Sequence, residues 1–424
     1  MTTGLATDDT APLVERTGRV IKHLTQTDIQ SLSALNEFDV EPLSETSAMV
    51  TPSHYTGVVR LPSGRLLEIR PKIDCNLLYF LAYTGRIDEV SVGREATVNE
   101  GRSFVDLLGW LFLKELQNIL QQGIHREYSL QEESESYIRG TLDVNKQLQK
   151  GGFRNARFEC RFDELTADIP LNQILLEATD ILSSAVTSRS LQSDLRRSYA
   201  RLHRQVSTPA ICPDPSEVEL TRLNSHYDSI LRLAELILSE VYIQDVSRGS
   251  VDIDRILLNT EILFENVVFC AVKRVAEQMG LIIGGDGNPE ESSDRSIGNL
   301  LQTDSGAHLQ RLDPDIILRG DARRVVVVGD AKWKNARRPS REDLYQMSAY
   351  QAQQGTSGLL VYPDTSGEIK EHYRYTRNDE RNTPLRVTKI ETGHASPGHE
   401  PPSYADFCDS IESEIETELR ELLA

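Results

Sequence analysis

Apolar positions along this chain switch between an alternating and a helical period, and the switches mark its elements. Thr56–Leu61 and Leu66–Arg70 are short apolar-rich runs on either side of Pro62-Ser63-Gly64-Arg65, which predicts a β-hairpin. Arg19–Leu24 reads as an edge strand, and residues 1–15 are expected to be disordered. Asn76–Tyr83 reads as a short apolar helix. A longer one spans Phe104–Gln122, where Leu107, Leu108, Leu111, Leu113, Leu116 and Leu120 recur at helical spacing before Gly123. Strand-like runs at Arg126–Leu130 and Arg157–Phe162 precede helices at Leu171–Ser184, Ser188–His203 and Asn224–Tyr242.

A second pattern begins after Gly249-Ser250. It predicts a helix over Arg255–Gln278, strands at Leu281–Ile283, Asp315–Leu318 and Val325–Asp330, a helix over Arg341–Gln353 and a strand at Gly358–Tyr362. Residues 285–310 read as a polar loop. Helix, three strands, helix, strand is the order of an α/β sandwich, a mixed sheet flanked by helices. The chain therefore divides into an α+β segment (1–165), a helical connecting region (166–248), an α/β segment (249–390) and an acidic tail (391–424). The tail is expected to be a loop, His394–Ser403, followed by a solvated amphipathic helix, Tyr404–Leu423.

Composition narrows the possibilities. At 424 residues and 39% apolar content, the chain can build two or three cores. No run of 18 apolar residues suggests a membrane span. The N-terminus lacks the basic-then-apolar pattern of a secretory signal. Cys75, Cys160, Cys212, Cys270 and Cys408 form no Cys-x-x-Cys pair, so a reducing cytoplasm is expected, with neither a zinc site nor a disulfide framework. The net charge of −19 opposes long-range attraction to nucleic acid. Basic residues comprise 36 Arg and 10 Lys. Acidic excess with scarce lysine is the halophilic type of surface, and in molar salt screening shortens to about 3 Å, leaving short-range contacts to decide binding. Lys332, Lys334, Arg337, Arg338 and Arg341 form a basic cluster with no acid among them, suited to a DNA backbone or to a solvated helix entry.

That cluster follows the most informative stretch. Ile316–Leu318 and Val325–Val328 flank Arg-Gly-Asp-Ala-Arg-Arg and read as a hairpin. Asp315 opens the first strand; Asp330 and Lys332 end the second and point to the same side. Two carboxylates and an ammonium then converge at one end of a hairpin. Such carboxylates suit Mg²⁺, with Mn²⁺ as a substitute, and the lysine can steady negative charge on an attacked phosphate. Asp313 is the fallback for Asp315. Glu265 on the preceding helix is a candidate further acid, with Glu261 one turn earlier as its competitor. Gln346 and Tyr350 share a helix face and are candidate DNA or site-supporting contacts, as are Lys334, Arg337 and Arg338. His308 reads as a loop residue. No P-loop, nucleophile elbow, His-Glu-x-x-His helix or dinucleotide fingerprint occurs.

Pro314-Asp315, the strand into Asp330-Ala331-Lys332 and the helix after it resemble the PD-(D/E)xK nuclease core. Wider blocks resemble the McrC family, the nuclease subunits of 5-methylcytosine-directed restriction systems. They are Leu67-Glu68-Ile69-Arg70-Pro71-Lys72-Ile73, Ile138-Arg139-Gly140-Thr141-Leu142-Asp143, the stretch from Cys160 to Asn172, Leu263-Phe264-Glu265, the hairpin, and Tyr345-Gln346 with Tyr350. The resemblance implies an Mg²⁺-dependent DNA endonuclease in the C-terminal part, with Asp315 and Asp330 as metal ligands and Lys332 and Glu265 completing the catalytic set. It also implies an N-terminal part that docks on a hexameric McrB-like AAA+ GTPase and stimulates it. The rival readings are a non-cleaving adaptor that activates a nucleotide-hydrolysing motor, and a stand-alone RecB-like exonuclease.

Overall fold

The computed structural model describes residues 11–89, 103–150, 157–242, 255–284, 296–302, 304, 308–320, 323–365, 371–374, 383–394 and 401–424. It is a mixed α/β protein whose contacts divide into two units, Met1–Phe104 with Gly249–Ala424, and Val105–Arg248. This grouping differs from the linear division expected from sequence, because the first unit is closed by pairing between distant segments.

In the first unit, Leu13–Val14, Leu66–Arg70, Tyr55–Arg60 and Arg255–Asn259 lie side by side in one sheet. The hairpin expected around Pro62–Arg65 is present, with Gly57 opposite Ile69 and Arg60 opposite Leu66. Arg255–Asn259 corrects an expectation. It is a strand antiparallel to Tyr55–Arg60, and the helix begins only at Thr260. Ile256-Leu257-Leu258 is a buried apolar run, which periodicity alone cannot assign to helix or strand. Gly57, at φ +138°, makes the pairing feasible, because a Cβ there would lie 2.0 Å from the Ile256 carbonyl oxygen. Asn259 then caps the helix, its side chain accepting from the Glu261 and Ile262 amides.

Of the segment expected to be disordered, 1–10 lies outside the described residues, while Leu13–Val14 forms the short edge strand. Arg19–Lys22, Ser47–Pro52 and Phe38–Ser44 form a small antiparallel sheet. The Gln26–Ala34 helix joins it over a core that includes Ile21, Leu32, Phe38, Val50 and Leu61.

The larger sheet orders its strands Ile282–Gly284, Ile316–Arg319, Val325–Ala331, Ser357–Pro363, Pro384–Ile390 and Glu371–Arg374. The middle pairings are parallel and the outer ones antiparallel. Ile317, Val328, Leu360 and Val387 meet Met347 and Tyr350 of the Arg341–Gln354 helix in one buried cluster. The Thr260–Gln278 helix packs on the hairpin strands, and the Tyr404–Leu423 helix packs on Pro384–Ile390. Two further expectations need correction. Part of the presumed 285–310 loop is a hairpin, Asn299–Gln302 with His308–Arg311. The acidic tail helix is a core element, burying Phe407, Ile411, Ile415 and Leu419, with Phe407 against Tyr79, Phe80 and Tyr83.

The second unit pairs Glu127–Glu135 with Phe158–Thr166, and Thr141–Leu142 with the latter. The Pro170–Ala185 helix packs against the Arg189–Leu202 and Asp228–Tyr242 helices. Among the described residues, no helix is long and apolar enough to cross a membrane.

Candidate active site

The site lies where the hairpin strands end. Ile316 pairs with Gly329 and Ile317 with Val328. Continuing that register sets Asp315 opposite Asp330. Gly329 fits the crowding there, since a Cβ would stand 2.8 Å from the Leu359 carbonyl oxygen and 3.1 Å from Ile316. Asp315 Oδ2 accepts the Ala331 amide at 2.8 Å, which locks the first strand's end to the second. Alternation carries Asp330 and Lys332 to one side, and the Lys332 ammonium lies against Asp330 Oδ2. Trp333 turns the other way and is 1% exposed.

The electrostatics are those of an anionic pair with too few donors. Asp330 is 1% exposed. Despite its ion pair, its Oδ2 receives no hydrogen bond of good geometry. Burial, and then the charge of Asp315, raise its pKa well above the usual carboxylate value. Burial and then the charge of Glu265 push Asp315 up to about 6. Burial pulls Lys332 down, but Asp330 and Asp315 outweigh it and its pKa is raised, so the amine stays an ammonium. An ammonium in this position can stabilise developing negative charge.

Of the two helix acids, Glu265 acts on Asp315 through its charge, whereas Glu261 is drawn to His54, 2.8 Å from its Nδ1. Asp313 is half-exposed and paired with Arg311 at 2.6 Å. Tyr350 donates to the Asp313 carbonyl at 3.2 Å and accepts from Gln346 Nε2 at 2.7 Å, so both support the turn into Asp315. Lys334 binds Asp343 at 2.8 Å. Arg337 and Arg338 are exposed. The side chain of His308 lies outside the described residues.

The donor set fits a hard divalent cation. Two carboxylates face each other, Asp330 Oδ2 has its ion pair with Lys332 but no well-aligned hydrogen bond, and Mg²⁺ ordinarily takes one or two carboxylates with water and phosphate completing its shell. Among the described residues, no group of three or more His, Cys, Asp or Glu side chains converges as a metal cage. Glu265 therefore stands beside a two-carboxylate site and does not complete a triad.

Sequence reasoning missed Glu15, which is fully buried against Lys72 and Trp333. Lys72 lay in a block carrying the family resemblance, but nothing in the pattern around Glu15 marks it.

The family model for the McrBC 5-methylcytosine restriction system component matches residues 50–363, more than half of the chain. The chain belongs to this family. A curated member, the type IV methyl-directed restriction enzyme EcoKMcrBC of Escherichia coli K12, is 21% identical over 318 residues, covering 70% of this chain and 88% of that protein. A chain in the half-complex of Thermococcus gammatolerans McrB AAA+ hexamers with bound McrC superposes with a TM-score of 0.62 at 18% identity, covering 95% of this chain and 99% of that one. The likeness to McrC thus extends to the fold. The matched region contains Lys72, Glu265, Asp315, Asp330, Lys332, Gln346 and Tyr350, and leaves out Glu15 and the Tyr404–Leu423 helix.

Proposed function

We propose that this chain is the Mg²⁺-dependent DNA endonuclease subunit of an McrBC-like modification-dependent restriction system, with a PD-(D/E)xK nuclease core, and that it stimulates an AAA+ GTPase partner. The observation that carries the reading is the convergence of Asp315, Asp330 and Lys332 at one end of the central hairpin. Asp315 and Asp330 would hold the metal, which when bound supplies Lewis-acid charge to the scissile phosphate. Lys332 holds its ammonium where an attacking hydroxide and the pentavalent phosphate gather charge. Glu265 adds an acid at the edge of this site, and Gln346 and Tyr350 fix the approach of Asp315. With Lys334 committed to Asp343, Arg337 and Arg338 are the exposed cations nearest the lysine in sequence, and we assign them to the DNA backbone.

The partner assignment rests on family membership and on the likeness to a chain from an assembly of McrB AAA+ hexamers with bound McrC. Adaptor and nuclease roles are compatible, since Val105–Arg248 contributes none of the four site residues. The test is plasmid cleavage by the chain with its AAA+ partner and GTP, in Mg²⁺ and in EDTA, for wild type and Lys332→Ala. Cleavage should require the metal and fall about 10²- to 10³-fold in the variant, with partner GTPase unchanged. Wild-type cleavage by Lys332→Ala sinks the nuclease assignment. Normal GTPase stimulation by a wild type that never cuts leaves the adaptor role.

A further inference from the structure

We infer that Glu15 is a positioning residue for cleavage: its buried carboxylate holds Trp333, and through it the strand end that carries Asp330 and Lys332. The inference rests on the nuclease reading. The sheet ladder of the second hairpin strand runs only to Ala331, followed by one further bond from the Lys332 amide to the Val361 carbonyl at 2.9 Å. The next fixed point is the Trp333 side chain. Its indole lies 6.1 Å from Phe80 and 5.2 Å from Phe264, centroid to centroid, and Phe264 sits on the helix that carries Glu265.

An indole N–H enclosed among such rings needs an acceptor. Glu15 Oε2 supplies it at 3.1 Å. The same carboxylate accepts the Lys72 amide at 3.3 Å and the Lys72 ammonium at 3.1 Å, and the Glu15 amide bonds the Arg70 carbonyl at 2.9 Å. Glu15 has no exposed surface at all. A fully buried carboxylate is costly unless it is paired, and here its pairs tie the N-terminal sheet to the residue directly after the proposed catalytic lysine. Lys332 is thus clamped between the Val361 bond and the Trp333 anchor. A slip of the indole would carry the ammonium with it, and small displacements of a catalytic group cost much rate.

The test uses the full chain with its partner and compares Glu15→Gln, Trp333→Phe, the two combined, and Lys332→Ala. Glu15→Gln and Trp333→Phe should each lower kcat about 10- to 100-fold at saturating DNA with KM little changed. The double variant should fall well short of the product of the two losses, because both break the shared Glu15–Trp333 contact. Wild-type kcat in Glu15→Gln, or losses that multiply in the double variant, overturns the inference. Should Glu15→Gln not fold, Trp333→Phe alone decides, and an unchanged kcat overturns it. If Lys332→Ala cuts like wild type, the nuclease reading itself has failed. The contact is then read without cleavage: in a Trp110→Phe background Trp333 is the sole tryptophan, and Glu15→Gln should shift its emission, because it removes the anion that the indole N–H faces. Unchanged emission overturns the contact.

Discussion

Two aspartates thirteen residues apart, Asp330 and Asp343, are both almost fully buried, and both have a lysine partner two or nine residues away. Their chemistry is opposite. Asp343 opens the Arg341–Gln354 helix in a capping box with Ser340 and also receives the Tyr362 hydroxyl at 2.7 Å and the Lys334 ammonium at 2.8 Å. Burial pushes its pKa up, but donors from Lys334, Tyr362 and Ser340 outweigh that and hold it below the usual carboxylate value. Asp330 has the Lys332 ammonium against it, but burial and then the charge of the facing Asp315 outweigh that and its pKa is raised. Burial and a lysine neighbour therefore do not distinguish a structural acid from a reactive one. The remaining neighbours do: several hydrogen-bond donors satisfy the charge of Asp343, whereas Asp330 shares its one lysine with a second carboxylate, the setting proposed above for a cation.

The largest expected effect comes from removing each charge in turn. Asp330→Asn should abolish DNA cleavage while leaving the unfolding midpoint unchanged or higher, because it relieves repulsion within a buried anionic pair. Asp343→Asn should do the reverse, retaining the chemistry and losing about 2–3 kcal/mol of stability measured by urea unfolding, the worth of hydrogen bonds to a charged acceptor. Equal destabilisation by the two variants would erase the distinction.

The same contrast predicts opposite pH dependences. Asp315 holds its proton up to about 6 in the folded chain, against an ordinary value of 3.8. Between those values the native state binds more protons than the unfolded chain, so this group's contribution to stability falls as pH rises through the window. The lowered pKa of Asp343 gives stability that is present above its ordinary value and lost as the pH drops below it. In metal-free buffer, Asp315→Asn should remove a decline in stability between about pH 4 and about pH 6. Added Mg²⁺ should raise the wild-type Tm more at about pH 7 than at about pH 5, since the ligands must shed protons to bind it. A wild-type stability flat across that window in metal-free buffer would contradict the raised Asp315.

Much of this could be read from the chain, for identifiable reasons. The hairpin is legible because Val325–Val328 is a continuous apolar run and its turn is short, and alternation then places Lys332 beside Asp330. Asp343 showed its helix but not its partners, because Lys334 reaches it from outside the helix and Tyr362 from a strand beyond it. The Arg255–Asn259 strand is not legible as one, because its partner, Tyr55–Arg60, is some two hundred residues away and no local period encodes the pairing. Acidity points the Tyr404–Leu423 helix toward solvent, although Phe407, Ile411, Ile415 and Leu419 repeat every four residues and supply the face it buries. Glu15 had no local signal, since its meaning comes from Lys72 and Trp333, which only the fold brings to it.

The smallest effect is expected at Tyr350, which sits between the two classes. Its hydroxyl does not touch either site carboxylate; it donates to the Asp313 carbonyl and accepts from Gln346. The donors around Asp343 satisfy a carboxylate, whereas Tyr350 satisfies backbone, and that backbone leads directly into Asp315. Tyr350→Phe preserves the buried ring and deletes one hydrogen-bond pair, so stability should drop by only about 0.5–1.5 kcal/mol. If its role is to hold the turn, cleavage should fall by no more than about 10-fold, the rate equivalent of that energy. A loss as complete as that of Asp330→Asn would instead place the hydroxyl at the reacting phosphate, and the boundary between support and chemistry would move one helix further from the sheet.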